Sequence, residues 1–250
     1  MPNQRRTGSF GRIDAGPVLA RSEKMRTADD AAAGRPVVHR GRKGTVVARA
    51  PVPASNDWRK VRMAAAGCRA CPLWENATCT VFGEGPRDAR IIIVGEQPGD
   101  QEDRTGKPFI GPAGKLLDRA LAAAGVDRAR VYVTNAVKHF KWKPQGKRRL
   151  HEKPNAREIA ACRPWLEKEI ALLRPALIVC LGATAAYTAF GPGIKVTMNR
   201  GEIRPSDFAI PVLITLHPSA LLREPDRAKA EAAFAAFATD LGKIRRFISR

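Results

Sequence analysis

Residues 91–114 read Ile91-Ile92-Ile93-Val94-Gly95-Glu96-Gln97-Pro98-Gly99-Asp100, then Gln101 through Pro108, then Phe109-Ile110-Gly111-Pro112-Ala113-Gly114. Four β-branched residues in succession predict a strand buried on both faces, since a half-wet strand would alternate apolar and polar positions. The run stops at a glycine and is followed at once by a carboxylate, an amide and a proline. Glu96 and Gln97 therefore stand at the carboxyl end of a core strand, where open α/β sheets bind their ligands. Lys115 to Leu121 follows as an amphipathic helix behind a glycine-rich start.

The pattern recurs along the chain. Arg130 to Val137 predicts a second strand, with Asn135 near its end. Ala176 to Gly182 and Pro211 to His217 predict two more, the last running into His217-Pro218-Ser219. Helices are expected over Asp57 to Ala66, Glu158 to Leu173, Ala183 to Phe190 and Pro225 to Phe247, with a peripheral hairpin over Val196 to Arg204. Strands alternating with helices predict a three-layer α/β/α sandwich around a central four-stranded, mainly parallel sheet. Three of the four strands end in polar groups, so Glu96, Gln97, Asn135 and His217 converge on one edge as a candidate site.

Charge narrows the partner. The chain has 250 residues and a formal net charge of +20, an excess that points to a polyanion. No basic amphipathic helix with bulky aromatics stands out, so nucleic acid is favoured over a membrane surface. No run of ~18 apolar residues or signal-like start occurs, which makes a cytoplasmic protein the expectation. Residues 1–55 lack periodicity and read as a disordered basic arm, either a non-specific DNA contact or a solvated tail; residues 56–250 form the domain. From Lys138 to Arg157 there are eight Lys or Arg against one Glu. Pro144, Gly146 and Pro154 predict a loop there, and Phe140 and Trp142 beside the charges suit phosphates and stacked bases.

Five cysteines in such a chain argue for metal or buried thiols rather than disulfides. Cys68-Arg69-Ala70-Cys71 is a chelating pair; a redox dithiol is the rival, without that motif's usual strand–helix context. Cys162 supplies a third thiolate, whereas Cys180, mid-strand, is a core thiol. No Gly-x-Gly-x-x-Gly or phosphate-loop lysine follows a strand, which disfavours a nucleotide-binding domain.

Gly95-Glu96-Gln97-Pro98-Gly99, Pro108 to Gly114, Thr134-Asn135-Ala136-Val137-Lys138 and His217-Pro218-Ser219 resemble the motifs of the iron–sulfur (family 4) uracil-DNA glycosylases. The resemblance runs from Cys68 to the C-terminus. Gln97 and the insert Lys147-Arg148-Arg149-Leu150-His151 resemble the UdgX type. It implies excision of uracil from DNA, single-stranded by preference, with the enzyme left covalently linked to the abasic sugar through a loop histidine. The roles implied are catalysis by Glu96, His151 and His217, stacking of uracil on Phe109 and reading of its edge by Asn135. Gln97, Asp100, Lys147, Arg148, Arg149 and Ser219 would complete the uracil and DNA contacts. An imidazole at its reference pKa of ~6.5 is largely neutral at pH 7, leaving a nitrogen free to attack. A [4Fe–4S] cluster on Cys68, Cys71, Cys162 and His139 is implied; Cys79 is the other candidate for the fourth position, and the donor set also suits structural zinc. A conventional turnover glycosylase and a non-catalytic uracil- or damaged-DNA-binding protein are the alternatives, and a monomer is expected.

Overall fold

The computed structural model describes residues 39–40, 46–47 and 49–248. Two-residue strands β1 (His39–Arg40) and β2 (Val46–Val47) pair antiparallel. Most of the expected basic arm lies outside the described residues. Its last part is integrated into the domain: the Ala50 amide donates to the Ala161 carbonyl at 2.9 Å, and Ala50 is buried.

The central sheet holds β3 (Ile91–Gly95), β4 (Val131–Asn135), β7 (Leu177–Leu181), β8 (Ile203–Arg204) and β9 (Val212–Thr215), in the order β4-β3-β7-β9-β8. The first four are mutually parallel and β8 is antiparallel to β9. The sheet thus has five strands rather than four. The segment expected to be a peripheral hairpin is instead a short helix, α6 (Val196–Asn199), and the edge strand β8.

Strand pleating sorts the core into two layers. Ile91, Ile93, Val133 and Val179 face α3 (Pro112–Ala123) and α8 (Arg227–Gly242), through Leu117, Leu121, Phe237 and Leu241. Ile92, Val94, Ile178 and Ile214 face α4 (Ala156–Leu173) and α5 (Gly182–Phe190). A strand with helices on both faces needs apolar side chains in both directions, which is why Ile91 to Val94 shows no alternation. A third cluster joins α1 (Trp58–Ala66) to α4 through Val61, Cys68, Phe82, Cys162 and Trp165. Asn155 caps α4 by accepting from the Arg157 and Glu158 amides, while Glu158 accepts from the Asn155 amide at 2.7 Å. No helix among the described residues is long and apolar enough to cross a membrane.

The basic stretch after β4 is ordered rather than a loop. It forms an antiparallel hairpin, β5 (Trp142–Gln145) and β6 (Arg148–His151). Pro144 is tolerated because this two-stranded ribbon is all edge, and Gly146 turns the chain at φ 58°. Two short helices, α2 (Asp100–Thr105) and α7 (Pro218–Leu221), follow β3 and β9, and α9 (Arg245–Ile248) ends the described chain.

Beneath the carboxyl end of β4 lies an ion pair closed to water. Lys138 Nζ meets Glu169 Oε2 at 2.5 Å, with both side chains essentially inaccessible. Glu169 also accepts from the Tyr132 hydroxyl (2.8 Å), the Thr134 hydroxyl (3.0 Å) and the Gly83 amide (3.0 Å). Lys138 donates further to the Thr134 hydroxyl and the Asn135 carbonyl. Removing one partner strands a buried charge, so Glu169→Ala should cost about 3–5 kcal/mol of stability by urea denaturation. The apolar double replacement Lys138→Met/Glu169→Leu should recover only the part due to the stranded charge, because the Tyr132 and Thr134 hydroxyls and the Gly83 amide still lose their acceptor. A single variant as stable as the wild type would contradict this account.

Candidate active site

Four strand ends and the hairpin enclose a cleft of about 840 Å³. β3 delivers Glu96 and Gln97, β4 delivers Asn135, β7 ends at Leu181-Gly182, and β9 leads to His217 and Ser219. Phe109 and His151 complete the wall. Convergence of Glu96, Asn135 and His217 was legible from the strand ends. Leu181 and Gly182 at the fourth end, and Thr184 behind them, were not singled out.

Glu96 stands between two partners. Its Oε1 lies 3.3 Å from His151 Nε2, and its Oε2 accepts from the Thr184 hydroxyl in the first turn of α5. The carboxylate is thereby fixed, and it fixes in turn an imidazole that is half exposed at the cleft mouth. The Phe140 ring backs His151 at a centroid distance of 6.1 Å.

His217 is held the other way. The Ser219 amide donates to its Nδ1 at 3.1 Å, and the Ser219 hydroxyl lies 2.8 Å from the same atom. An acceptor Nδ1 places the proton of the neutral ring on Nε2, which makes that nitrogen a donor. Burial, then the nearby charges of His151 and Arg223, push the His217 pKa down to about 4. Gly182, at φ 83°, allows this packing: a Cβ there would lie 2.9 Å from His217 Cβ.

Phe109 adopts φ 58°, a left-handed conformation costly for a bulky residue. Two glycines accommodate it. A Cβ on Gly114 would fall 1.7 Å from the Phe109 carbonyl oxygen, and one on Gly95 would fall 2.6 Å from the Phe109 ring and 2.5 Å from Asn135 Oδ1. The Phe109 ring tilts 34° from His217 at 6.5 Å. A buried aromatic face, a buried amide and an imidazole N–H around one recess suit a flat heterocycle with a polar edge.

Other expected contact residues hold the hairpin. The Gln97 amide donates to the carbonyls of Lys141 (3.1 Å) and Glu152 (3.0 Å) and accepts from the Lys141 amide (3.0 Å), clasping the hairpin at its base. Arg149, expected on phosphate, is instead sequestered. It pairs with Asp100 and, at 2.6 Å, with Asp103, and its guanidinium lies over Phe140 and Trp142. Its charge and its hydrogen bonds to Asp100 and Asp103 are thus engaged within the fold. Asp100, bonded to Arg104 as well as Arg149, has its pKa lowered. Lys147 and Arg148 remain exposed at the hairpin tip.

Cys68, Cys71 and Cys162 gather in the third core cluster. Burial raises the Cys71 pKa and pushes that of Cys162 up to about 12; neighbouring thiol charges add to both. Two N–H groups aim at sulfur: Trp165 Nε1 at Cys68 Sγ and the Lys138 amide at Cys162 Sγ, each 3.2 Å. His139 is buried with Nε2 2.8 Å from the Thr80 hydroxyl, and Cys79 donates to the Asp103 carbonyl instead. Among the described residues, no group of three His, Cys, Asp or Glu is arranged as a metal shell.

A strand-end cleft of this composition on a parallel sheet marks an α/β protein whose recess would suit a planar ligand. The chain belongs to the uracil DNA glycosylase superfamily, whose profile matches residues 82–242. It is 44% identical over 158 residues to a type-4 uracil-DNA glycosylase of Thermotoga maritima, covering 62% of this chain and 78% of the relative. A type-4 enzyme of Pyrobaculum aerophilum is 35% identical over 68% of this chain and 86% of its own. A type-5 uracil-DNA glycosylase of the same organism is 29% identical over 55% and 64%.

A His217 pKa depressed from ~6.5 to about 4 means that the unfolded chain binds the extra proton first. Stability should therefore be full above pH 6.5 and fall as pH drops towards 4, by on the order of 2–3 kcal/mol at ~1.4 kcal/mol per unit. Denaturation midpoints at pH 7 and pH 4.5 should separate less in His217→Asn than in the wild type. An equal separation would mean that His217 is not the group responsible.

Proposed function

We propose that the protein is a uracil-DNA glycosylase of the UdgX type, which excises uracil and then captures the abasic sugar on His151. The observation that carries this reading is the opposed pair of histidines in one cleft, one half-buried as a neutral donor and the other held exposed beside Glu96.

The target base must leave the stack, at a cost of a few kcal/mol in a duplex and less in a single strand, which favours single-stranded substrate. Phe109 stacks on the flipped uracil and Asn135 bonds its polar edge. The bond between the base N1 and C1′ breaks with its electron pair going to uracil, and the Nε2–H of His217 donates to the carbonyl oxygen that becomes negative. Glu96 stabilises the positive charge left on the sugar. An imidazole nitrogen of His151 then forms a bond to C1′ with its lone pair. The resulting imidazolium loses its N–H proton, and the departing uracil anion takes up a proton. An N-alkylated imidazole is a poor leaving group, so the linkage persists.

Denaturing gels of the protein with a uracil-containing oligonucleotide should show a heat-stable band carrying both chains, and none with thymine. Uracil should be released in amounts equal to protein. In His151→Ser water can reach C1′, so the band should vanish while uracil is released repeatedly. Turnover by the wild type without a band would favour the conventional glycosylase, and binding without release a recognition protein.

The resemblance also implies a [4Fe–4S] cluster. Three thiols that share one core cluster, two of them receiving N–H donors of the kind that stabilise cluster sulfur, support Cys68, Cys71 and Cys162 as ligands, with His139 or Cys79 as the fourth. Such a cluster would staple α1 to α4 and stands apart from the bond-breaking steps. Purified protein should be brown, with iron and sulfide in equal amounts; one equivalent of zinc and no colour would replace the cluster by a zinc site.

A further inference from the structure

The charges that line the cleft are unevenly engaged. Its three carboxylates all have internal partners: Glu96 has His151 and Thr184, Asp100 has Arg104 and Arg149, and Glu102 accepts from the Gly99 and Gly111 amides at 3.1 and 2.8 Å. Its two cations do not. Lys153 and Arg223 line the cleft, both are exposed, and neither forms an ion pair among the described residues. They come from different parts of the fold. Lys153 lies on the segment that leads from β6 into α4, two residues beyond His151. Arg223 lies in the turn after α7, on the side of β9, which β7 separates from β3 in the sheet. Arg223 is also close enough to His217 for its charge to be felt there.

The geometry points to Lys153 and Arg223 as a two-sided phosphate clamp that grips the backbone on either side of the flipped nucleotide. The inference rests on the proposed function, because it takes a nucleic-acid strand as the ligand. An abasic sugar loses its stacking and edge contacts once uracil departs, so the backbone grip is what keeps C1′ opposite His151 during capture. A residue near the reacting sugar must contribute charge without competing for it. Arg149 cannot serve, since Asp100 and Asp103 already occupy its guanidinium.

The test uses the full chain and a single-stranded oligonucleotide with one 2′-fluoro-deoxyuridine, whose glycosidic bond resists cleavage, so that equilibrium binding can be followed by anisotropy against NaCl. Lys153→Gln and Arg223→Gln should each lower the slope of log Kd against log salt by about 0.7, the value for one single-strand phosphate contact. Lys153→Arg and Arg223→Lys should keep it. Replacing the phosphate on the 5′ or the 3′ side by an uncharged methylphosphonate should weaken wild-type binding in both cases. Each Gln variant should be indifferent to one replacement, and the two variants to different ones. If either variant keeps the wild-type slope, or stays sensitive to both replacements, the clamp is overturned. Uracil release from an ordinary deoxyuridine oligonucleotide by the wild type tests the glycosylase reading separately.

Discussion

The site depends on the Lys138–Glu169 ion pair. It is made inside the protein, where two charges survive only if every lone pair and proton is used. Glu169 comes from α4 and Lys138 follows β4, so the pair ties a helix to a strand end. The Lys138 ammonium reaches the Asn135 carbonyl at 2.9 Å and its amide reaches Cys162 Sγ at 3.2 Å. One residue therefore links Asn135, in the cleft, to the thiol cluster. Burial and the Glu169 carboxylate hold the Tyr132 pKa well above its ordinary value, which keeps that hydroxyl a donor to the network.

A second ionic assembly, nearer the surface, does for the hairpin what the first does for the sheet. Arg149 bridges Asp100 and Asp103 of α2, and Gln97 clasps the backbone at Lys141 and Glu152. His151 sits between these two anchors in sequence, at the end of β6. A side chain on an unsupported basic loop would sample many positions; one on a hairpin fastened at both ends is preorganised over the cleft. The Arg149 charge is engaged in holding the hairpin to α2.

Strand-end reading found the sheet and the convergence of Glu96, Asn135 and His217, because buried parallel strands carry a continuous apolar signal and end abruptly. The hairpin escaped that reading. Pro144 and Gly146 are breakers in a helix or a central strand but ordinary in a two-residue turn flanked by edge strands. The arginine roles escaped it too, since Lys147, Arg148 and Arg149 are consecutive and look equivalent until the pleat turns Arg149 inward and leaves its neighbours exposed. Gly182 and Thr184 carry no motif; their importance lies in distances to His217 and Glu96 that only the fold creates. The β8 edge strand is two residues long, too short to have a period.

The two cleft histidines illustrate how one side-chain type can be placed in two different environments. His217 accepts a backbone N–H at Nδ1, is half-buried, and feels the charges of His151 and Arg223, so protonation is resisted and Nε2 is left as a neutral donor. His151 faces a fixed carboxylate and solvent. Environments that differ in this way assign roles. A charged His217 would bind an anion more strongly, but it would need a proton taken up before each event and would repel the sugar cation forming beside it. In the proposed reaction a neutral donor would stabilise the leaving base, while the Glu96 carboxylate, paired with His151, would lie on the side where positive charge develops. Under the proposed function, breaking the bond and capturing its product would fall to two histidines that line a single cleft.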